Sequence, residues 1–266
     1  MQKNTIKAKL HDGGTVVGTC LTDYVGAEVI TILKAARMDF AFVDTEHSPT
    51  DYREIQTLVR VARAADVIPL VRVTQSEYFL IARALDVGAM GIIAPRIHSV
   101  EQAKSVVSAM KFPPAGERGY GLRSIINDFD FQGAKPEMES ADRETMVVLQ
   151  MESRECVEAI NDITAVPGVD AIMVGPFDLS VSLGIPGDFE NPLFWEAFDR
   201  MVDACGRNGV APGVHMGSVK LLQRARDHGA RFLVFSADVS VLLNGWKAAR
   251  QELAVGEEVA TKSGYM

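Results

Sequence analysis

The chain has 266 residues, 47% of them hydrophobic, and a formal net charge of −8. These values suit one globular domain with a sizeable core, and the acidic balance without a Lys/Arg cluster argues against a nucleic-acid binder. We expect no membrane span, because no apolar run approaches the roughly 20 residues that a span needs. We expect no secretory signal, because no apolar stretch follows Lys3 and Lys7. Cys20, Cys156 and Cys205 lack metal-type spacing and predict reduced thiols in a cytoplasm.

Short β-rich segments alternate with helical patterns along the chain. Strands are predicted at Thr15–Cys20, Phe40–Asp44, Ile68–Val73, Gly91–Pro95, Met146–Met151, Asp170–Val174, Ala211–His215 and Arg231–Phe235. Helices are predicted between them, the strongest at Asp51–Ala65, Ser76–Leu85, Ser99–Met110 and Pro192–Cys205. Several strands are continuously apolar, as expected when both faces of a sheet are buried. Eight strands separated by helices predict an α/β fold, a (β/α)8 TIM barrel that forms one domain over residues 1–266.

A doubly wound open sheet is the main alternative to the barrel. That fold would normally place a glycine-rich turn after the first strand, whereas this chain continues with the residues Leu-Thr-Asp-Tyr at 21–24. One connection, Lys111 to Thr145, is unusually long, and we predict an insertion over the barrel mouth. The last residues, Gly256–Met266, are expected to form a frayed tail.

Two carboxylates, Glu152 and Asp178, stand where two neighbouring predicted strands run out. Catalytic groups of α/β barrels gather at this end of the strands, and a divalent cation such as Mg²⁺ takes one or two carboxylates while keeping positions for water and substrate. Gln150 shares the side of its strand with Glu152, because side chains alternate along a strand. Either acid could instead cap the helix that follows it.

A histidine and an arginine lie at the ends of two other predicted strands. His47 could exchange protons near neutral pH, or it could be a loop histidine bonded to Asp44 or Glu46. Arg72 has apolar neighbours in its strand, so its charge needs a partner. That partner could be a substrate carboxylate, or it could be Asp44 or Glu46.

Asp86 could orient His47, or it could simply end a helix. His215 ends the seventh strand and could approach the site, or it could be a packed histidine. A cation site, a base and a positive clamp together suit chemistry on a small oxo acid.

Several absences narrow the chemistry. A Schiff-base aldolase needs a lysine at a strand end, and Lys220, which opens a helix, is the one weak candidate. The sequence has no phosphate loop and no dinucleotide fingerprint. The loops after the seventh and eighth strands lack a glycine-rich phosphate cradle, so a phosphorylated substrate is not indicated.

Seven segments of the chain resemble the HpcH/HpaI aldolases, a family of class II pyruvate-type aldolases. They are Val43–Pro49, Leu70–Arg72, Leu85–Ala89, Gly91–Pro95, Gly116–Gly119, Leu149–Glu152 and Val174–Ser180. They occur in order from about the first strand to the eighth, and the Gln-x-Glu and Gly-Pro-x-Asp segments are the most specific.

The resemblance implies a metal-dependent aldolase that forms hexamers and exchanges its C-terminal helix between neighbouring subunits. Glu152 and Asp178 would bind Mg²⁺, Mn²⁺ or Co²⁺. His47, with Asp86 behind it, would be the base or act through a metal-bound water. Arg72 would hold the oxo oxygen of the substrate and stabilise the enolate.

The resemblance also implies that backbone amides over residues 175–178, which are Gly175, Pro176, Phe177 and Asp178, receive the pyruvate carboxylate. Two positions depart from the family pattern: Thr45 replaces a glycine, and the bulky Phe177 replaces a small residue.

The expected reaction is the reversible cleavage of a 2-oxo-4-hydroxy acid to pyruvate, or hydroxypyruvate, and an aldehyde. Three alternatives stay open at this point. One is another reaction of the same enolate, such as oxaloacetate decarboxylation. The second is a barrel that binds an oxo acid without catalysis. The third is a CoA-ester lyase, although the chain has no basic patch for an adenine nucleotide.

Overall fold

Eight parallel strands close into a barrel in the computed structural model, which describes residues 1–121 and 129–253. The strands, β1 to β8 in chain order, are Val16–Leu21, Phe40–Asp44, Ile68–Arg72, Gly91–Ala94, Met146–Met151, Ala171–Val174, Ala211–Met216 and Phe232–Ala237. Each strand pairs with the next, and β1 pairs with β8 to close the sheet. The predicted barrel is therefore confirmed and the open sheet excluded, and no strand end differs from the predicted one by more than two residues.

Helices connect the strands and surround the barrel. In chain order, α1 to α11 are Thr5–His11, Ala27–Ala35, Tyr52–Ala64, Tyr78–Asp86, Val100–Met110, Ala134–Glu144, Arg154–Thr164, Pro176–Ser182, Pro192–Asn208, Val219–Asp227 and Asp238–Glu252. Asp51 and Glu54 form a capping box at the start of α3, and Ser99 caps α5. Within residues 1–121 and 129–253, no helix combines the length and apolarity that a membrane crossing requires.

Two hydrophobic layers hold the fold together. The outer layer packs the helices against the outside of the sheet and includes Ile55, Leu58 and Phe198. The inner layer fills the barrel and includes Phe40, whose ring stacks on Phe232 with centroids 4.6 Å apart. The side chains of the inner layer leave no pore through the barrel, as expected for eight strands.

The N-terminal end of the barrel is closed by helix α1, whose Ile6 and Leu10 belong to the inner layer. The two ends of the long connection that follows α5 lie at this same end, because Lys111 donates to backbone oxygens of Asp142 and Thr145 just before β5. Between these ends the connection approaches the other side of the barrel, because the backbone N–H of Gly119 donates to Oη of Tyr78 at the start of α4 at 2.9 Å, so the predicted insertion over the mouth stays a prediction. A segment that leads from a helix into a parallel strand must return to the N-terminal end of the sheet. Residues 256–266, the predicted tail, lie outside the described residues.

Candidate active site

Every second side chain of a strand points into the barrel, and the last of these inward side chains line its C-terminal mouth. On β2 the inward side chains are Phe40, Phe42 and Asp44, because every second residue faces the interior. The same count along β3 and β5 brings Arg72 and Gln150 to the last inward position. Inside the barrel a polar layer of side chains thus lies on top of an apolar one, and both layers arise because side chains alternate between the two faces of a strand.

Asp44 and Arg72 form a bidentate ion pair in this layer. They are direct neighbours in the register of β2 and β3. Nε and Nη2 of Arg72 donate to Oδ1 and Oδ2 of Asp44 at 2.8 and 2.6 Å. Burial raises the pKa of Asp44, but the hydrogen bonds and charge of Arg72 outweigh burial and hold the pKa below its ordinary 3.8. The guanidinium is thereby fixed in orientation, since both ends of its fork are engaged.

Gln150 links this ion pair to Glu152. Its Oε1 lies 3.5 Å from Nη1 of Arg72, and its Nε2 donates to Oε2 of Glu152. The other carboxylate oxygen of Glu152 accepts the backbone N–H of Arg96 at 2.5 Å. Arg96 takes this position with φ +57°, a strained conformation for a residue other than glycine.

Glu46 is the least satisfied acid of the site. Its side chain is 5% exposed, and its Oε1 accepts a hydrogen bond from Nε of Arg96 at 3.0 Å. Its Oε2 is buried without a hydrogen-bond partner, although Nη1 of Arg72 lies 3.5 Å away and Nε2 of His47 3.8 Å away. The imidazole of His47 itself is 58% exposed at the mouth. A buried carboxylate oxygen without a partner is a position where a ligand or its water can bind.

Gly175 follows β6 directly, at a point where side chains of the site closely approach the backbone. A Cβ at this position would lie 2.8 Å from Oε2 of Glu152 and 2.9 Å from Nε2 of Gln150. Pro176 begins α8, and Asp178 lies exposed in the first turn of that helix. Because the backbone at Gly175 lies so close to Glu152, the first turn of α8, which carries Asp178, is also near Glu152 at the mouth.

The acids of the mouth influence one another. Burial is the largest cause that raises the pKa of Glu152 above 4.5; hydrogen bonds from Gln150 and Arg96 oppose it, and repulsion from Glu46 and Asp178 adds to it. A divalent cation between these carboxylates would relieve that repulsion, so the donor set fits a hard metal ion. Within residues 1–121 and 129–253, no group of three or more His, Cys, Asp or Glu side chains is arranged to hold a metal. A cation here would therefore rest on two carboxylates and complete its shell with substrate and water.

Asp86 does not join this site within the chain. It is the last residue of α4, and its Oδ1 lies 3.2 Å from Nη2 of the buried Arg118. A helix that leads into β4 ends at the N-terminal end of the barrel, whereas His47 follows β2 at the C-terminal end. The fold of one chain therefore separates these two side chains by the length of a strand.

The structure adds one residue that sequence reasoning missed and accounts for one departure from the family pattern. Arg96 lies two residues after the end of β4 and contacts both Glu46 and Glu152, yet its positive φ has no signature in the sequence. Thr45, which stands where a glycine was expected, donates its hydroxyl to the carbonyl oxygen of Arg72 at 2.7 Å. It thereby joins the ends of β2 and β3 beside the ion pair.

Comparisons with known proteins agree with this geometry. Residues 25–245 match the family described as HpcH/HpaI aldolase/citrate lyase. A hydroxypyruvate/pyruvate aldolase from Roseobacter denitrificans is 32% identical over 249 residues, which cover 92% of this chain and 95% of that protein. A 4-hydroxy-2-oxo-heptane-1,7-dioate aldolase from Salmonella newport is 27% identical over 262 residues, which cover 98% of this chain and 99% of that protein.

The fold of the chain is also similar to that of solved structures. An HpcH/HpaI aldolase from Desulfitobacterium hafniense superposes with a TM-score of 0.90 at 35% sequence identity, over 94% of this chain and 97% of that one. The similarity thus extends over the whole barrel and includes the strand ends that carry the site.

Proposed function

Because the chain belongs to the HpcH/HpaI aldolase/citrate lyase family and is an enzyme of the carbon–carbon lyase class, we propose that it is a pyruvate-type aldolase. It reversibly cleaves a 2-oxo-4-hydroxy acid to an aldehyde and pyruvate or hydroxypyruvate. The observation that carries the proposal is the buried, bidentate Asp44–Arg72 pair, connected through Gln150 to Glu152. That arrangement presents a fixed positive charge beside an acidic cluster.

Glu152 and Asp178 hold a divalent metal ion in this proposal, with Mg²⁺, Mn²⁺ and Co²⁺ as the candidates. When bound, the ion supplies positive charge that stabilises the enolate left by cleavage of the C3–C4 bond. All three ions accept oxygen ligands, so the preferred ion is to be determined by titration.

The residues of the chain divide the remaining work. Arg72 donates to the 2-oxo oxygen, and Asp44 holds the guanidinium so that no reorientation is needed as negative charge develops. Within residues 175–178 the backbone N–H groups of Phe177 and Asp178 bind the substrate carboxylate, because Pro176 has none and that of Gly175 donates to the carbonyl oxygen of Met151 at 3.0 Å. The side chain of Gln150 holds the metal ligand Glu152 in position. His47 takes the proton of the C4 hydroxyl; its imidazole is exposed at the mouth, with Nε2 3.8 Å from Oε2 of Glu46.

The decisive experiment follows exchange of the pyruvate methyl protons in D₂O by NMR, because exchange requires the enolate but no aldehyde. We expect exchange with added Mn²⁺, loss of it in EDTA, and a fall of at least about a hundredfold in Glu152→Ala and Asp178→Ala. Glu196→Ala, which removes an exposed acid on α9, is the matched control and should exchange like the wild type. Full exchange in metal-stripped enzyme would refute the proposal. A panel of aldehydes with pyruvate and hydroxypyruvate then identifies the substrates.

We further propose a cytoplasmic enzyme of one domain that assembles as a hexamer and exchanges α11 between subunits. Cys20, Cys156 and Cys205 are free buried thiols, which suits a reducing compartment. Helix α11 exposes several apolar side chains, and Trp246 is 65% exposed. Light scattering should give a hexameric mass, and Trp246→Glu should give smaller species. A monomeric wild type would contradict this assembly.

A further inference from the structure

A second cavity borders the proposed active site. It has a volume of about 220 Å³ and lies at the C-terminal ends of β7 and β8. Apolar side chains form most of its wall, among them Phe177, Phe189, Met216 and Leu221. Among the residues that the structure describes, no Lys, Arg, Asp or Glu lines it. The residues to which we assign the metal and the proton transfer do not line this cavity.

The polar groups of the cavity wall are uncharged. His215 is partly buried, its Nε2 lies 3.0 Å from the carbonyl oxygen of Ser236, and its ring meets Phe42 edge-on at 5.7 Å. Burial is the largest cause that lowers the pKa of His215, to about 4, so the imidazole is neutral at neutral pH. A charged group that entered the cavity would lose its water and find no opposite charge.

The cavity and the site share their boundary. Phe177 lines the cavity, and the next residue in the chain is Asp178. Phe42 forms a second boundary, because His215 packs on its ring and the guanidinium carbon of Arg72 lies 5.7 Å from the ring centroid. A substrate held at Arg72 and Asp178 can therefore extend directly into the cavity.

The ring of Phe177 shapes the entrance. It is 46% exposed and packs edge-on against Phe189, with centroids 5.0 Å apart. Its backbone is held in place, because the hydroxyl of Ser180 donates to the carbonyl oxygen of Phe177 at 2.7 Å. The bulky residue that stands here thus supplies an apolar wall beside the acid of the metal site.

We propose that this cavity binds the substituent of the aldehyde fragment, and that the enzyme prefers uncharged, apolar aldehydes to those that carry a carboxylate or phosphate. The inference rests on the proposed aldolase function and specifies its substrate class. The volume suits the occupant, since an apolar cavity of about 150 Å³ already accepts benzene. A branched aliphatic or phenyl substituent would bury its surface against Phe177, Phe189 and Leu221.

A polar groove of about 670 Å³ is the competing location for the substituent. It lies on the opposite side of the mouth, between α4 and α5, and its lining includes Gln75, Arg96 and His98. An aldehyde with a polar chain would favour this groove, because charged side chains of both signs line it, Arg96 together with Glu77, Glu101 and Glu117. Substrate preference therefore distinguishes the two locations.

The test measures kcat/KM for addition of pyruvate to linear aldehydes from propanal to octanal, to benzaldehyde and to succinic semialdehyde, with saturating Mn²⁺. We expect kcat/KM to rise about threefold for each added methylene until the cavity is filled. We expect pentanal to exceed succinic semialdehyde, which carries a carboxylate, by at least about tenfold.

Two lysine variants on helix α10 locate the effect. Leu221→Lys places a charge in the cavity wall, whereas Val219→Lys places one on the exposed surface of the same helix. The pentanal to succinic semialdehyde ratio should fall at least about tenfold in Leu221→Lys and stay within about twofold in Val219→Lys. The ratio is independent of the fraction of active enzyme, and the wild-type chain-length series tests the proposal even where a variant folds poorly.

Three results would overturn the inference: a wild-type preference for succinic semialdehyde, a chain-length series without a rise, or equal ratios in the two lysine variants. Exchange of the pyruvate methyl protons is measured first and without aldehyde. Exchange with the wrong aldehyde preference defeats the cavity proposal alone, whereas absence of exchange defeats the aldolase function on which it rests.

Discussion

The acids at the two ends of the barrel bind very different partners. At the N-terminal end, Asp39 accepts the backbone N–H of Val17, and Asp170 accepts that of Val147, each at 2.8 Å. Asp170 also pairs with Lys7 at 3.1 Å. These carboxylates join the starts of neighbouring strands, and their hydrogen bonds are directed at the protein itself.

At the C-terminal end, the same kind of side chain is left incomplete. Oε2 of Glu46 is buried without a hydrogen bond, burial and like charges raise the pKa of Glu152, and Asp178 is exposed. Such an arrangement opposes folding, so it persists only because the rest of the barrel is stable. The comparison teaches that acids alone do not define a site; acids whose charge the protein compensates incompletely, at the strand ends that face solvent, do.

The largest effect is expected for Arg72→Lys, which keeps the positive charge but loses the bidentate contact with Asp44. Without the fork the cation is no longer held in one orientation, so kcat/KM for pyruvate release should fall about a hundredfold. Arg200→Lys, a surface replacement of the same type on α9, should leave kcat/KM unchanged. Circular dichroism confirms that both variants are folded. Near wild-type activity in Arg72→Lys would show that the orientation of this charge is unimportant.

A smaller effect is expected for Gly175→Ala, which adds a Cβ within 3 Å of Glu152 and Gln150. Glu152 must shift, so the affinity for Mn²⁺ should fall about tenfold, as measured by titration calorimetry. The matched control is Gly206→Ala in helix α9, where an added Cβ meets nothing within 4 Å. That variant should bind Mn²⁺ normally and gain up to about 1 kcal/mol of stability. Equal metal affinity in both variants would contradict the close approach at Gly175.

The pKa of Glu152 predicts how acid affects the site. Metal binding requires the ionised carboxylate, so Mn²⁺ affinity should fall as the pH is lowered toward the raised pKa of Glu152. The metal-free protein should respond in the opposite direction. Its folded state binds this proton more tightly than the unfolded chain does, so the free energy of unfolding should rise as the pH falls through the raised pKa.

Below the ordinary glutamate value of 4.5 that gain stops, because the unfolded chain is then protonated as well. Glu152→Gln provides the reference for both measurements. Its thermal stability, compared with that of the wild type across the same pH range, isolates the contribution of this one carboxyl. Identical pH profiles for the two proteins would mean that Glu152 titrates like an exposed glutamate.

The smallest effect is expected at the opposite end of the barrel. Asp170→Asn keeps an oxygen for the N–H of Val147 but loses the ion pair with Lys7. Chemical unfolding should show a loss of about 1 kcal/mol in stability, while the rate of methyl exchange stays at the wild-type value. If the variant folds well but has lost exchange activity, the N-terminal end of the barrel contributes to the chemistry and the two ends are not separate in function.

The strand pattern shows how much of the fold can be predicted from the sequence. Eight apolar segments at barrel spacing predicted the closed sheet, because burial on both faces leaves a clear signal. The period of two then placed Gln150 on the same side of the fifth strand as Glu152. The course of the long connection after α5 could not be predicted in the same way, because length and composition do not reveal the end of the barrel at which a segment lies.

The sequence by itself determined the fold class, the family and the residues at the strand ends, since periodicity and local motifs are encoded in neighbouring positions. Only the tertiary structure decided which of those residues meet. It paired Arg72 with Asp44, left an oxygen of Glu46 unsatisfied, brought Arg96 to Glu152 through a strained backbone, and kept Asp86 away from His47 within one chain. These contacts join segments far apart in the chain, and strand register and close packing set their distances, which no local pattern records.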